Sequence, residues 1–299
     1  MQAKRRMQYS LTKISFLEYL RCAPEFWLRT HQPLLFPQAE RTMKSEHLRQ
    51  QGYAVEALAK QLERFRPDDS KLVDAQRVFQ SGQFSARADI VVTDQATGEI
   101  EIYEVKGTSK FKDEYYDDVA FQCFVAGLSG ASVSRCYVIT INADYVRRGE
   151  LDPEQLFVVT DVTAEIAAKA ESIAAAAHEA LVYLDTEFKF TLLDYAQTKH
   201  KRKHEFDCVA VSEFFPDLPA RTVFHIPRIH PPKLRTLLEM GIIDINDVPE
   251  TFELTEKQRS YMTTVATNEK SIDREAIAKR MSEWKYPLHF LDYETFSYA

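Results

Sequence analysis

Two carboxylates and one ammonium stand at a spacing that could do chemistry: Asp89, fourteen intervening residues, then Glu104-Val105-Lys106. Side chains alternate faces along a strand, so Glu104 and Lys106 share one side while Tyr103 and Val105 take the other. A hairpin closing at Gln95-Ala96-Thr97-Gly98 makes the two strands antiparallel and brings Asp89 toward the Glu104 end. Two hard oxygen donors at one spot suit Mg²⁺ or Mn²⁺, ions that keep several waters and bridge to phosphate. A lysine beside them orients or helps deprotonate an attacking water and offsets charge developing on a phosphorane. The same three residues also read as an ordinary strand edge, charged against aggregation.

The elements that must position them run αα-βββ-α-β-β-α. Residues 12–30 carry Ile14, Phe16, Leu17 and Leu20 at helical spacing, with Thr12 as N-cap and Pro24 breaking or restarting the helix. A second helix, over about 43–65, turns Leu48, Val55, Leu58, Ala59 and Leu62 inward. From Lys71 the period changes to two, and residues 71–80, 84–94 and 99–107 read as strands. Helical spacing returns over 113–128, strands follow at 136–144 and 155–162, and an Ala-rich helix over about 164–186 has Thr163 as N-cap. This predicts an α/β (α+β) fold, a mixed sheet flanked by helices. Residues 1–198 are expected to form that domain, 199–285 a basic linker and helical accessory region, and 286–299 the start of a further domain on a new apolar strand.

Composition narrows the function classes. The 299 residues carry 38 Lys plus Arg against 45 Asp plus Glu, a net charge of −7, with 45% hydrophobic residues, so the chain can bury a core and is not disordered. Its eight glycines form no G-x-G-x-x-G, G-x-x-x-x-G-K-[ST] or G-x-S-x-G, and H-E-x-x-H is absent, which argues against dinucleotide enzymes, P-loop NTPases, α/β-hydrolases and zincins. The basic N-terminus lacks an apolar signal core and no uncharged run of about 18 residues occurs, so a cytoplasmic protein with no membrane association is expected. The acidic balance still leaves room for a local basic groove, and Lys199–His204 (KHKRKH) is the dense positive run. Nothing in the sequence sets an oligomeric state.

The pattern resembles the RecB-like branch of the PD-(D/E)XK nucleases, in which an Asp ends one strand, E-x-K lies on the next, and a helix with a glutamine follows. Ala-Arg-Ala-Asp89, Glu104-Val-Lys106 and Asp118-Val-Ala-Phe-Gln122 match in that order, with Ala126 where the family's Q-x-x-x-Y has its tyrosine. The family's upstream G-x-x-x-[H/E] is met by Gly52-Tyr-Ala-Val-Glu56, and Glu56 reads either as part of the metal's surroundings or as a solvated helical glutamate. Gln76 and Arg87 read as phosphate contacts or as structural residues.

A closer resemblance, to bacterial proteins joining a RecB/CRISPR-exonuclease-like domain to a C-terminal exonuclease-like domain, rests on LTKISFLEYLRCAPEFWL, DVAFQCFV and INADYVRRGELDPEQLF, spanning most of residues 11–163. In LDYETF, Asp292 and Glu294 occupy the D-x-E that begins the DEDD exonuclease pattern; without its other acidic motifs they assemble no two-metal site.

These resemblances imply a restriction-endonuclease-like fold and Mg²⁺- or Mn²⁺-dependent hydrolysis of phosphodiester bonds in nucleic acid, DNA favoured. Asp89 and Glu104, with Glu56, would hold the ion, Lys106 would assist the water, and Gln122 would support them. Arg87, Lys199, Lys201, Arg202 and Lys203 would meet the nucleic-acid backbone. A catalytically silent nucleic-acid-binding module serving a C-terminal exonuclease is the alternative, and a structural adaptor a third reading. LRTLLEMGIIDINDVP resembles hairpins that meet nucleic acid near a glycine, here Gly241 with Lys233 and Arg235, or is a small helical packing unit.

Many relatives carry an iron–sulphur cluster on one N-terminal and three later cysteines. Here Cys22 and Cys208 alone occupy such places, and two thiolates do not hold four irons, so the two segments are expected close together without a cluster. His200, His204, Cys208 and Cys22 would compose a zinc set; packing in place of a lost cluster is the simpler reading. Reduced thiols are expected, with Cys123 and Cys136 as buried hydrophobes.

Overall fold

The computed structural model describes residues 9–36, 43–188, 190–197, 209–267 and 272–292. The chain divides into two compact units, Met1–Phe188 and Lys189–Tyr298. The first contains strands β1 (Leu11–Thr12), β2 (Lys71–Ser81), β3 (Phe84–Asp94), β4 (Ile100–Lys106), β5 (Val133–Ile141) and β6 (Phe157–Asp161). Its helices are α1 (Lys13–Arg21), α2 (Ala23–His31), α3 (Met43–Ala59), α4 (Glu114–Leu128), α5 (Pro153–Leu156) and α6 (Thr163–Asp185).

The six strands form one mixed sheet in the order β1-β3-β4-β5-β6, with β2 also on β3. Pairs β2–β3, β3–β4 and β5–β6 are antiparallel; β1–β3 and β4–β5 are parallel. Because β2 follows β3 along its whole length, β1 and β4 must share the opposite edge. There β1 pairs at Phe84 and Ser85, and β4 pairs from Ile90 to Thr93. Residues 86–89 of that edge lie between the two partners, and this opening is where the site forms.

Helices pack on both faces. On one, Phe16, Phe26, Val119, Phe121, Ile166 and Ile173 cover Ala88, Ile102 and Val138; on the other, Val55 and Ala59 of α3, with Leu62 and Phe65, cover Ile90, Tyr103 and Ile139. Each fully buried Phe or Ile of this kind contributes roughly 1.5–3 kcal/mol through removal from water.

The expected element order holds apart from two short additions, β1 at the start and α5 between β5 and β6, and local chemistry explains its boundaries. Thr12 and Ser15 form a capping box that starts α1. The helix breaks at extended Cys22, and Pro24 restarts it in the first turn of α2, where a missing N–H does no harm. Three expectations need correction. The helix from Met43 ends at Ala59, and Leu48 is 58% exposed because the helix's N-terminal half runs beyond the sheet's apolar face. Thr163 is the first residue of α6, not its cap: the Asp161 carboxylate accepts from the Thr163 amide (2.9 Å) and hydroxyl (2.6 Å). Residues 288–292 form no strand, since no described strand lies beside them, and Phe290 and Leu291 are exposed.

The second unit contains α7 (Leu192–Gln197), α8 (Val209–Phe214), α9 (Pro231–Glu239), α10 (Glu256–Thr267) and α11 (Arg274–Ser282). Leu234 and Leu237 of α9 are buried, and Gly241, at φ 74°, makes the left-handed turn that returns the chain to buried Ile245. Lys233 donates to the Glu253 carbonyl at 2.8 Å, which ties the start of α9 to the segment before α10. Among the described residues, no helix is long and apolar enough to cross a membrane.

Candidate active site

The β3–β4 ladder runs in register from Thr93↔Ile100 to Ile90↔Tyr103 and then stops. The next pair would be Asp89 opposite Glu104. Instead, the Asp89 Oδ2 accepts the Val105 N–H at 2.9 Å, taking with a side chain the donor that a backbone carbonyl would have used.

The neighbouring ladder is disturbed at the same level. Ala75↔Ile90 and Arg77↔Ala88 pair, but Gln76 and Asp89 between them do not. Gln76 adopts φ 55°, a left-handed conformation that costs a non-glycine residue about 1–2 kcal/mol. The side-chain phase inverts here on both strands: Ala88 packs on the α4 side and Ile90 on the α3 side, and Phe79 and Val73 divide likewise. The kink directs the Gln76 Nε2 to both the Glu56 Oε1 (2.7 Å) and the Asp89 Oδ1 (3.3 Å). Glu56 also pairs with Lys60 one helical turn on, at 2.6 Å.

Beside this arm lies a buried knot of charge. Glu104 and Lys106 point together toward α4, as strand alternation requires, and meet Asp118 and Gln122, one turn apart on that helix. Lys106 Nζ donates to the Glu104 Oε1 (2.7 Å) and Asp118 Oδ2 (2.6 Å). Gln122 Nε2 donates to the Glu104 Oε2 (2.7 Å) and Asp118 Oδ1 (2.9 Å). Lys13, the first residue of α1, adds a third bridge: 3.0 and 3.2 Å to the two Glu104 oxygens and 3.1 Å to the Asp118 Oδ1.

Burial and charge set the protonation of the knot. Glu104, only 3% exposed, is pushed up to about 7 by burial and by the nearby Asp118 and Asp89 charges, against the pull of Lys13 and Lys106. Burial also raises Asp89. It works to raise Asp118 too, but there the two lysines and the Lys106 and Gln122 hydrogen bonds prevail and hold the carboxyl below its usual range. For Lys106 burial works downward, yet the two carboxylates outweigh it and raise the ammonium above its ordinary value.

The donor chemistry fits a hard divalent cation: Asp89 and Glu104 supply carboxylate oxygens, Glu56 lies one amide away, and the Gln122 Oε1 is buried without a partner. Among the described residues, no group of three or more His, Cys, Asp or Glu side chains is arranged to hold a metal ion. Two carboxylates suffice for an ion that keeps most of its waters.

Asp89, Glu104, Lys106 and Gln122 are therefore brought together, with Glu56 joined to them through Gln76. Arg87 is exposed two residues from Asp89 and outside these contacts. Lys199, Lys201, Arg202, Lys203, His200, His204, Cys208 and Glu294 lie outside the described residues, and Asp292 is exposed in the second unit. Cys22 is buried. Cys123 and Cys136 lie 3.0 Å apart, sulfur to sulfur; the neighbouring thiol and burial push the Cys123 thiol up.

Sequence reasoning missed Lys13 and Asp118 as members of the site. Asp118 carried a signal, its i, i+4 relation to Gln122. Lys13 carried none, because its approach depends on β1 pairing with Phe84 and Ser85.

No family model and no curated protein matches the chain. Solved structures similar to part of it include the following two. The crystal structure of SSO0001 has 10% identity and a TM-score of 0.35, over 57% of this chain and 78% of that one. The alkaline exonuclease LHK-Exo from Laribacter hongkongensis has 15% identity and a TM-score of 0.32, over 59% of this chain and 91% of its own.

Proposed function

We propose that residues 1–198 are a RecB-like PD-(D/E)XK nuclease domain that hydrolyses phosphodiester bonds in nucleic acid, DNA favoured, with Mg²⁺ or Mn²⁺. The observation that supports this is the meeting of Asp89 and Glu104 at the point where two adjacent antiparallel strands part, with Lys106 and Gln122 closing the same spot.

Asp89 and Glu104 would hold the ion, with Glu56 nearby; when bound, it would polarise a phosphate oxygen and lower the pKa of a bound water. Lys106, an ammonium between two carboxylates, would orient the water or assist its deprotonation and meet developing phosphorane charge. Gln122 fixes Glu104 and Asp118 by one amide group. Arg87 and the Lys199, Lys201, Arg202 and Lys203 run would draw phosphate toward an otherwise acidic cleft.

The test is digestion of labelled single- and double-stranded DNA and of RNA with Mg²⁺, Mn²⁺ or chelator. Cleavage should need the cation, and Asp89→Ala and Lys106→Ala should each lower it by about 10²–10³-fold while substrate is retained. Equal cleavage by wild type and both variants would overturn the assignment. Retention without cleavage by any of the three would favour the silent nucleic-acid-binding module.

A further inference from the structure

Glu104 is fully engaged. A carboxylate oxygen offers two lone pairs. The Glu104 Oε1 accepts from Lys13 and Lys106, and its Oε2 accepts from Lys13 and Gln122. For Glu104 to bind a cation, one of these three donors must leave.

The three are not held equally. Lys106 contacts Glu104 and Asp118 at 2.7 and 2.6 Å, and Gln122 does so at 2.7 and 2.9 Å. Lys13 contacts them at 3.0, 3.2 and 3.1 Å, the longest distances in the knot. Lys106 shares the strand of Glu104, and Gln122 shares the helix of Asp118. Lys13 belongs to neither element: it begins α1, and the next residue, Ile14, is 76% exposed, so the start of that helix borders solvent. Its side chain has four flexible bonds and can withdraw without moving the sheet or α4.

We propose that Lys13 is a displaceable internal cation, which bridges the Glu104–Asp118 pair and competes directly with a divalent ion for Glu104. The inference rests on the nuclease reading, because it takes Glu104 as a ligand. Charge makes the exchange reasonable. Asp89, Glu104 and Asp118 face Lys13 and Lys106, so one ammonium leaving as a dication enters keeps the cleft close to neutral. Lys13 is thus a positioning residue that sets how readily the ion binds.

The experiment measures Mn²⁺ binding alone, by calorimetry and by electron paramagnetic resonance of the free ion, with no nucleic acid present. Wild type should bind Mn²⁺ in a manner that Glu104→Gln weakens. Lys13→Met and Lys13→Gln should bind it about tenfold tighter, since each removes a charge-assisted competitor. Lys13→Arg, which keeps the charge, should not. A merely structural lysine would give weaker binding on removal. Unchanged or weaker Mn²⁺ binding by both neutral variants overturns the proposal and leaves the nuclease reading intact. Absence of Glu104-dependent binding in every variant overturns both. Where a neutral variant melts too readily to titrate, Mn²⁺ should restore its cooperative transition, and failure to do so also counts against the exchange.

Discussion

The two carboxylates that face the cleft are prepared in opposite ways. Glu104 is almost fully buried and satisfied by two ammonium groups and an amide. Asp89 is half-buried and receives one neutral donor on each oxygen, the Val105 N–H and the Gln76 amide. The first depends on balanced charge in a low-dielectric setting; the second depends on backbone geometry, a parted ladder and a left-handed Gln76. The comparison teaches that a pair of acids can converge on one spot while only one retains spare lone pairs. Asp89 is open to a new partner as it stands, whereas Glu104 becomes open by exchange.

Removing charge should hurt the Glu104 side far more than the Asp89 side. Lys106→Ala removes two charge-assisted hydrogen bonds from the buried Glu104 and Asp118, which keep Lys13 and Gln122, and should lower unfolding free energy by about 3–5 kcal/mol. Asp89→Asn keeps one accepting oxygen and places an NH2 donor against either the Val105 N–H or the Gln76 amide, and should cost about 1–2 kcal/mol. Urea unfolding at neutral pH in chelator measures both. Similar losses would erase the distinction between a charge-held and a geometry-held acid.

A smaller effect follows from protonation. Glu104 lies at about 7 in the folded protein against an ordinary 4.5. A raised carboxyl gives stability that is present below about 4.5 and lost as pH rises through about 7. Asp118, held low, contributes with the opposite sign: its stability is present above 3.8 and lost as pH falls. Melting temperature between pH 4.5 and 8, in chelator, should therefore fall less steeply with rising pH in Glu104→Gln than in wild type. Parallel curves would mean that Glu104 does not titrate there.

Much of this arrangement was legible from residue order. The change of period after Lys71, the turn before Gly98 and the E-x-K alternation fix the face of Glu104 and Lys106, because a strand has one way to alternate. What was not legible depends on distant pairing. Lys13 reaches Glu104 only because two residues of β1 dock on β3 at the end of the opening. The phase inversion at Gln76 and Asp89 breaks the rule that sequence reading relies on, and no residue type announces it: Gln76 is an ordinary strand residue until its amide has two carboxylates to join. Leu48 shows the reverse failure, an apolar residue at helical spacing with no sheet beneath it.

The finest test of the comparison separates strain from contact at Gln76. Gln76→Ala removes the amide that joins Glu56 to Asp89 and keeps a Cβ at φ 55°. Gln76→Gly removes the same amide and relieves the left-handed conformation, where glycine meets no steric penalty. The two variants share the lost hydrogen bonds, so their difference isolates the backbone contribution. Gly should be the more stable by about 1 kcal/mol, offset by the larger entropy of its unfolded chain, and thermal unfolding of the pair in chelator resolves it. If alanine is the more stable, the strain relieved at position 76 is smaller than the entropy glycine adds to the unfolded chain, and Asp89, like Glu104, owes its place chiefly to contacts.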